Sequence, residues 1–242
     1  MVHLISRPEL ADRANGDSHM AITLKRTGGA STFINILVYG QAGAGKTTLI
    51  KTLPNPIILS AESGLLSIAD SGLQYIEIDS IDTLKEAYSW LSESDEAKCF
   101  ESVALDSISE IGEVCLSAAK KTAKDPRQAY GDLSETMGEI IRAFRDLPNR
   151  HIYFSAKVEK SQDDMGRSMY APSMPGSKVG QSLPYFFDEV MALRIERDAD
   201  GIVQRGLMCD SDGLWQAKDR SGKLSTWEGA DLGAIIAKVR GA

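Results

Sequence analysis

Cysteine is scarce in this chain. The 242 residues include three, Cys99, Cys115 and Cys209, far apart and without C-x-x-C spacing. Neither a disulfide framework nor a cysteine-rich zinc site is written in that pattern, and free thiols in a reducing compartment are the expectation. Long apolar runs are missing as well. None approaches the roughly 18 residues needed to cross a bilayer, so no membrane partner is expected. Positive charge is in deficit, with 27 Lys and Arg against 34 Asp and Glu and a net charge of −7. That balance excludes attraction of nucleic acid by the whole surface. Any such binding must come from local basic segments or from many protomers together.

The first residues lack both periodicity and an apolar core, so no signal peptide is expected there. The run Asp17-Ser18-His19-Met20 resembles a cloning-vector junction, and Met20 reads as a start residue. The expectation is a disordered leader or tag over residues 1–19 and a single domain over 20–242. The chain as a whole is 43% hydrophobic and 25% charged, an ordinary globular composition.

What is present is a phosphate-binding motif. Gly40-Gln41-Ala42-Gly43-Ala44-Gly45-Lys46-Thr47 spells G-x-x-x-x-G-K-T directly after the apolar run Phe33–Tyr39 and before the helical pattern Thr48-Leu49-Ile50-Lys51. Strand, loop and helix in that order are the context the motif requires. Small residues let backbone N–H groups turn inward around a polyphosphate at the positive end of the next helix. Residues 41–48 (Gln41, Ala42, Gly43, Ala44, Gly45, Lys46, Thr47 and Thr48) are thus the expected nucleotide cradle. Lys46 would reach the β- and γ-phosphates, and the Thr47 hydroxyl would bind Mg²⁺. ATP and Mg²⁺ are the expected cofactors.

Strand-like and helix-like segments alternate after the loop. Strands are expected at 56–62, 73–78, 102–106 and 151–155, with amphipathic helices carrying Leu84 and Leu91, Ile108 and Leu116, and Leu133 to Leu147. Residues 157–182 have no period and read as a long loop, functional or mobile. Asp200-Gly201 between apolar runs marks a hairpin, and a helix bearing Leu232 and Ile236 closes the chain. The fold class is α/β, a mainly parallel sheet flanked by helices with an antiparallel C-terminal extension.

Asp106 ends an apolar strand where a Mg²⁺-holding carboxylate belongs; a plain turn aspartate is the alternative. Ser107 follows it, so the base that activates water must come from elsewhere. Glu62 ends the strand after the loop helix, and strand carboxyl ends face the ligand crevice of such sheets. It either takes that role or caps the next helix.

These segments resemble RecA-family ATPases, whose catalytic glutamate ends the strand after the P-loop helix. Residues 43–49, Ser60-Ala61-Glu62-Ser63-Gly64-Leu65, Pro175-Gly176, Phe187-Asp188-Glu189-Val190 and Ala217-Lys218-Asp219-Arg220 resemble, more closely, phage-encoded RecA-like proteins of the Sak single-strand annealing and recombinase group. The likeness runs from about Ile36 to Arg220. It implies a RecA-like core, a homo-oligomer that is a ring or a filament, and the cytoplasm of a bacterial host. It also implies that Lys218 and Arg220 act on the γ-phosphate of a neighbouring subunit; a solvated turn is the alternative. Where that family often carries a γ-phosphate-sensing glutamine, this chain has Ala156-Lys157, leaving Ser155 or Lys157 to substitute.

By the same resemblance two loops stand where RecA-like proteins bind DNA. Residues 120–131 carry Lys120, Lys121, Lys124 and Arg127 against one acid, and residues 157–180 carry Lys157, Lys160, Arg167 and Lys178 against three. The first is otherwise a basic helix end compensating its dipole, the second a lid over ATP. The expected partners are single-stranded DNA, further copies of the chain and a single-stranded-DNA-binding protein, and the expected activity is DNA-stimulated ATP hydrolysis in recombination or annealing. A small-molecule kinase and a nucleotide-switched scaffold are the rival readings.

Overall fold

Alternation within each apolar run decides the architecture. A computed structural model describes residues 33–62, 64–197 and 200–241. Strand β1 (Asn35–Gly40) turns Leu37 and Tyr39 to one face and Ile36 and Val38 to the other, and all four are fully buried. A short helix α1 (Lys46–Leu49) leads to β2 (Pro56–Ser60), β3 (Gln74–Glu77), α2 (Ile81–Glu93), β4 (Ser102–Asp106), α3 (Ile108–Thr122) and α4 (Pro126–Arg145). Then come β5 (His151–Gln162), β6 (Ser168–Ser173), α5 (Ser177–Ser182), β7 (Glu189–Arg197), β8 (Val203–Met208), β9 (Lys218–Asp219), β10 (Trp227–Gly229) and α6 (Leu232–Arg240). Strands β2, β4, β5 and β7 repeat the two-faced burial of β1, as parallel strands covered by helices on both sides must.

The sheet runs β10-β8-β7-β1-β5-β4-β2-β3, with β6 paired to β5 and β9 to β7. From β7 to β3 every pairing is parallel; β8, β10, β6 and β9 are antiparallel additions. Helices α2, α3 and α4 cover one face and α1 and α6 the other. The described residues form one compact unit. The α/β fold, a mainly parallel sheet flanked by helices with an antiparallel C-terminal extension, is the one expected from the sequence. The leader over 1–19 and the boundary at residue 20 lie outside the described residues.

Two expected loops are regular structure instead. Residues 120–131 comprise the last turn of α3, a three-residue link and the first turns of α4. Asp125 caps α4 by accepting from the Gln128 N–H at 2.9 Å, with Pro126 in the first helical position, so a helix start stands where a loop is expected. Residues 157–173 form a hairpin. Strand β5 continues beyond its buried half into an exposed arm, Lys157 facing Ser173 and Gln162 facing Ser168. Gly166 turns the tip at φ 77°, and α5 then follows. The outgoing half of the arm is mostly exposed and the returning strand only half-buried, so apolar periodicity had little to register.

Candidate nucleotide site

Four neighbouring parallel strands deliver their carboxyl ends to one place. Ser60 of β2 lies beside Asp106 of β4, Leu105 beside Phe154 of β5, and Ser155 beside Val38 of β1. The phosphate loop leaves β1 at Gly40, where a Cβ would come within 2.7 Å of the Leu193 carbonyl of β7. Gly43 and Gly45 take φ of 76° and 106°, conformations that side chains disfavour. The loop is therefore shaped by glycine where its backbone must curl, and Gly45 opens α1. Tyr153 braces that helix from below, donating to the Lys46 carbonyl at 2.9 Å.

Lys46 Nζ curls over the loop, donating to the carbonyls of Gly40 at 3.0 Å and Gln41 at 3.1 Å. Burial pushes its ammonium pKa down, and the nearby carboxylates of Glu62 and Asp106 oppose that shift. Thr47 Oγ1 donates to Asp106 Oδ2 at 2.7 Å, and Ser155 Oγ donates to Asp106 Oδ1. Burial raises the Asp106 pKa, while these two hydroxyls work the other way. Glu62 follows β2, with its backbone N–H directed at the Asp106 carbonyl at 3.4 Å. Its side chain is held from the other side, where Ser107 Oγ donates to Oε1 at 2.5 Å. The Asp106–Ser107 peptide is cis.

The arrangement suits a nucleoside triphosphate with magnesium. A curled N–H loop and a lysine meet phosphate, and a buried carboxylate bonded to a threonine hydroxyl offers hard oxygen ligands. Among the described residues no group of three or more His, Cys, Asp or Glu could hold a metal; magnesium here would draw its remaining ligands from phosphate and water. The sequence reading had Lys46, Thr47, Asp106 and Glu62 together, and the fold assembles them. It missed Ser107 as the residue that holds Glu62, Tyr153 beneath α1, and Arg205 of β8, whose Nε donates to the Ala44 carbonyl at 3.1 Å. Ser155 was considered as a γ-phosphate sensor, yet its hydroxyl bonds Asp106. Lys157, the other candidate, pairs with Glu110 at 2.6 Å.

Lys218 and Arg220 stand elsewhere. Strand β9 pairs with Glu189 and Val190, at the amino end of β7 and opposite the phosphate loop. Lys218 Nζ donates to the carbonyls of Pro184 and Phe187 at 2.7 and 2.5 Å, and Arg220 pairs with Asp188 at 2.7 Å. They do not meet Lys46 of their own chain.

The eight candidate DNA-binding cations are all exposed. Lys120 and Lys121 end α3, where they also compensate its dipole. Lys120 lies 6.0 Å from the centre of the Tyr130 ring, and Tyr130 and Lys178 line one groove of about 1190 Å³ between α4 and α5. On the hairpin, Lys160 sits 5.9 Å from the Tyr170 ring centre and Arg167 pairs with Asp163 at 2.7 Å. Lys124 lies in the link into α4 and Arg127 in the first turn of that helix. Among the described residues no helix is long and apolar enough to cross a membrane.

No curated protein matches the chain. Among solved structures it is similar to a KaiC-like protein of the hyperthermophilic archaeon Pyrococcus horikoshii OT3, at 12% identity and a TM-score of 0.39, covering 72% of this chain and 78% of that one. It is equally similar to the flagellar accessory protein FlaH of Methanocaldococcus jannaschii, at 12% identity and a TM-score of 0.39, covering 72% and 76%. The model of one family, the AAA domain (AAA_24), matches residues 32–221, from before β1 to just past β9 and so across the whole phosphate site; this chain belongs to that family.

Proposed function

We propose that this protein hydrolyses ATP as a homo-oligomer on single-stranded DNA, in annealing or strand exchange during phage-type homologous recombination. The observation that carries the hydrolytic part is Glu62, held by Ser107 at 2.5 Å close to Lys46 and Asp106. In this reading the loop N–H groups and Lys46 hold the β- and γ-phosphates. Thr47 and Asp106 would hold magnesium, which would neutralise charge on those phosphates. Glu62 accepts a proton from the attacking water as its oxygen bonds to the γ-phosphorus. The bond from that phosphorus to the bridging oxygen breaks, and ADP leaves with the electron pair.

Support for DNA rests on placement. Exposed cations gather around Tyr130 and along the β5–β6 arm, and backbone phosphates bind such charge through counterion release. Tyr130, 44% exposed, and Met165, 82% exposed, offer apolar contact to unstacked bases. The placement of Lys218 and Arg220 away from their own loop supports catalysis between subunits.

Nucleotide titration and phosphate release together test the chemistry. Lys46→Ala should abolish ATP binding, whereas Glu62→Gln should bind ATP and lose hydrolysis. Near-normal turnover in Glu62→Gln would remove Glu62 from the mechanism. An anisotropy titration with single-stranded oligonucleotide, in Mg²⁺-ATP and low salt, tests the partner. No binding there would leave a nucleotide-switched scaffold or a small-molecule kinase.

A further inference from the structure

One cation beside the phosphate loop is left without a task by the chemistry above. Arg205 sits on β8 opposite Ile195 of β7, in the antiparallel extension. Through Nε it holds the Ala44 carbonyl at 3.1 Å. A Cβ on Gly45 would lie 3.6 Å from its Nε and 3.7 Å from its Cδ. The guanidinium therefore lies along the last residues of the loop, immediately before Lys46. Anchored at Nε, it keeps its two terminal NH₂ groups for another acceptor. Among the described residues its side chain has no other polar partner, and none of the carboxylates pairs with it.

Two features say what that acceptor is. The planar fork of a guanidinium matches phosphate oxygens, which it binds through paired N–H groups. And the fork is braced against the same loop whose N–H groups form the phosphate cradle. We propose that Arg205 is a second cation of the nucleotide site, supplied by the same chain, whose terminal N–H groups bind the polyphosphate of a bound nucleoside triphosphate. Its bond to Ala44 also stiffens the loop, so ligand contact and loop shape are set by one side chain. This makes the β7–β8 hairpin a wall of the site. The inference rests on the nucleotide reading and adds a residue to it.

The test is direct binding, independent of turnover. The full chain and its Arg205→Ala, Arg205→Gln and Lys46→Ala variants are titrated into a fluorescent ATP analogue with Mg²⁺, and inorganic tripolyphosphate is then used as competitor. Loss of a charge-assisted contact should weaken Arg205→Ala and Arg205→Gln by about ten- to a hundredfold. The tripolyphosphate affinity should fall in parallel, and the melting temperature of the free protein should stay close to the parent. Arg205→Gln keeps a donor for the loop, so it guards against a folding defect in Arg205→Ala. Parent-like affinity in Arg205→Gln, with Lys46→Ala unable to bind, overturns the proposal alone. Normal binding by Lys46→Ala overturns the nucleotide reading beneath it. A loss confined to the ATP analogue, with tripolyphosphate unaffected, overturns the phosphate assignment.

Discussion

Glu189 is a carboxylate that the fold has sealed from water. It is fully buried, and neither side-chain oxygen has a hydrogen-bond partner among the described residues. Across the β7–β9 register it faces Asp219. Burial first, and then Asp219, push its pKa up to about 8. Asp219 keeps its charge: burial works against it, but hydrogen bonds from Ser221 and Leu224 hold its pKa below the usual value. An acid whose native pKa is raised stabilises the fold fully below its ordinary value and loses that contribution as pH rises through the native value. The window for Glu189 opens at 4.5 and closes near 8. Glu189→Gln should therefore gain stability over the parent as pH climbs through that window. Melting curves for both proteins from pH 4 to 9 check this, and parallel curves would refute it. The same scale shows what a sequence conveys about a site. Lys46, Thr47 and Asp106 were legible because motif and strand end fix their places. Ser107 and Arg205 were not, since a lone serine or a strand arginine carries no spacing signal. Ser155 was noticed, but its bond to Asp106 appears only when β4 and β5 lie side by side.

At the scale of elements, apolar periodicity marked the core well and stopped at water. Strand β4 was legible end to end because all five of its residues are buried. Strand β5 was legible over its buried half alone, and the exposed half passed for loop. The start of α4 was hidden because its first three residues are exposed, although Asp125 and Pro126 together are a start signal that composition alone had masked. This shape bears on the proposed DNA contact. Lys120 and Lys121 belong to the end of one helix, Lys124 to the link and Arg127 to the first turn of the next, so the four gather about one corner. Neutralising them together should flatten the slope of log affinity for single strands against log salt by about 0.7 per lost phosphate contact. Anisotropy titrations at several salt concentrations give the slope. An unchanged slope would take this corner out of the DNA interface.

At the scale of the molecule, β9 and the phosphate loop occupy opposite ends of the parallel strands. If Lys218 and Arg220 serve catalysis, they serve another copy's nucleotide. Arg220→Ala should bind ATP normally and hydrolyse it slower by roughly 10³–10⁵, the range for a cation supplied in trans. Mixing it with Lys46→Ala should restore part of the activity, since one variant brings an intact site and the other an intact cation. No recovery in assemblies shown to contain both would assign the pair to holding residues 184–188 in place. Strand β5, finally, has one mechanical consequence. It runs without interruption through twelve residues, about 40 Å at strand rise, and its fifth residue, Ser155, is hydrogen-bonded to Asp106. The portion beyond is gripped a second time where Tyr170, opposite Lys160, bonds Leu214 and Gln216 and stacks on Trp215, so the strand is a beam held at two points. A small tilt where Asp106 meets its ligands would pass along this beam to Leu214–Gln216, which grip it, so the strand would carry the state of the nucleotide across the molecule by leverage rather than by refolding.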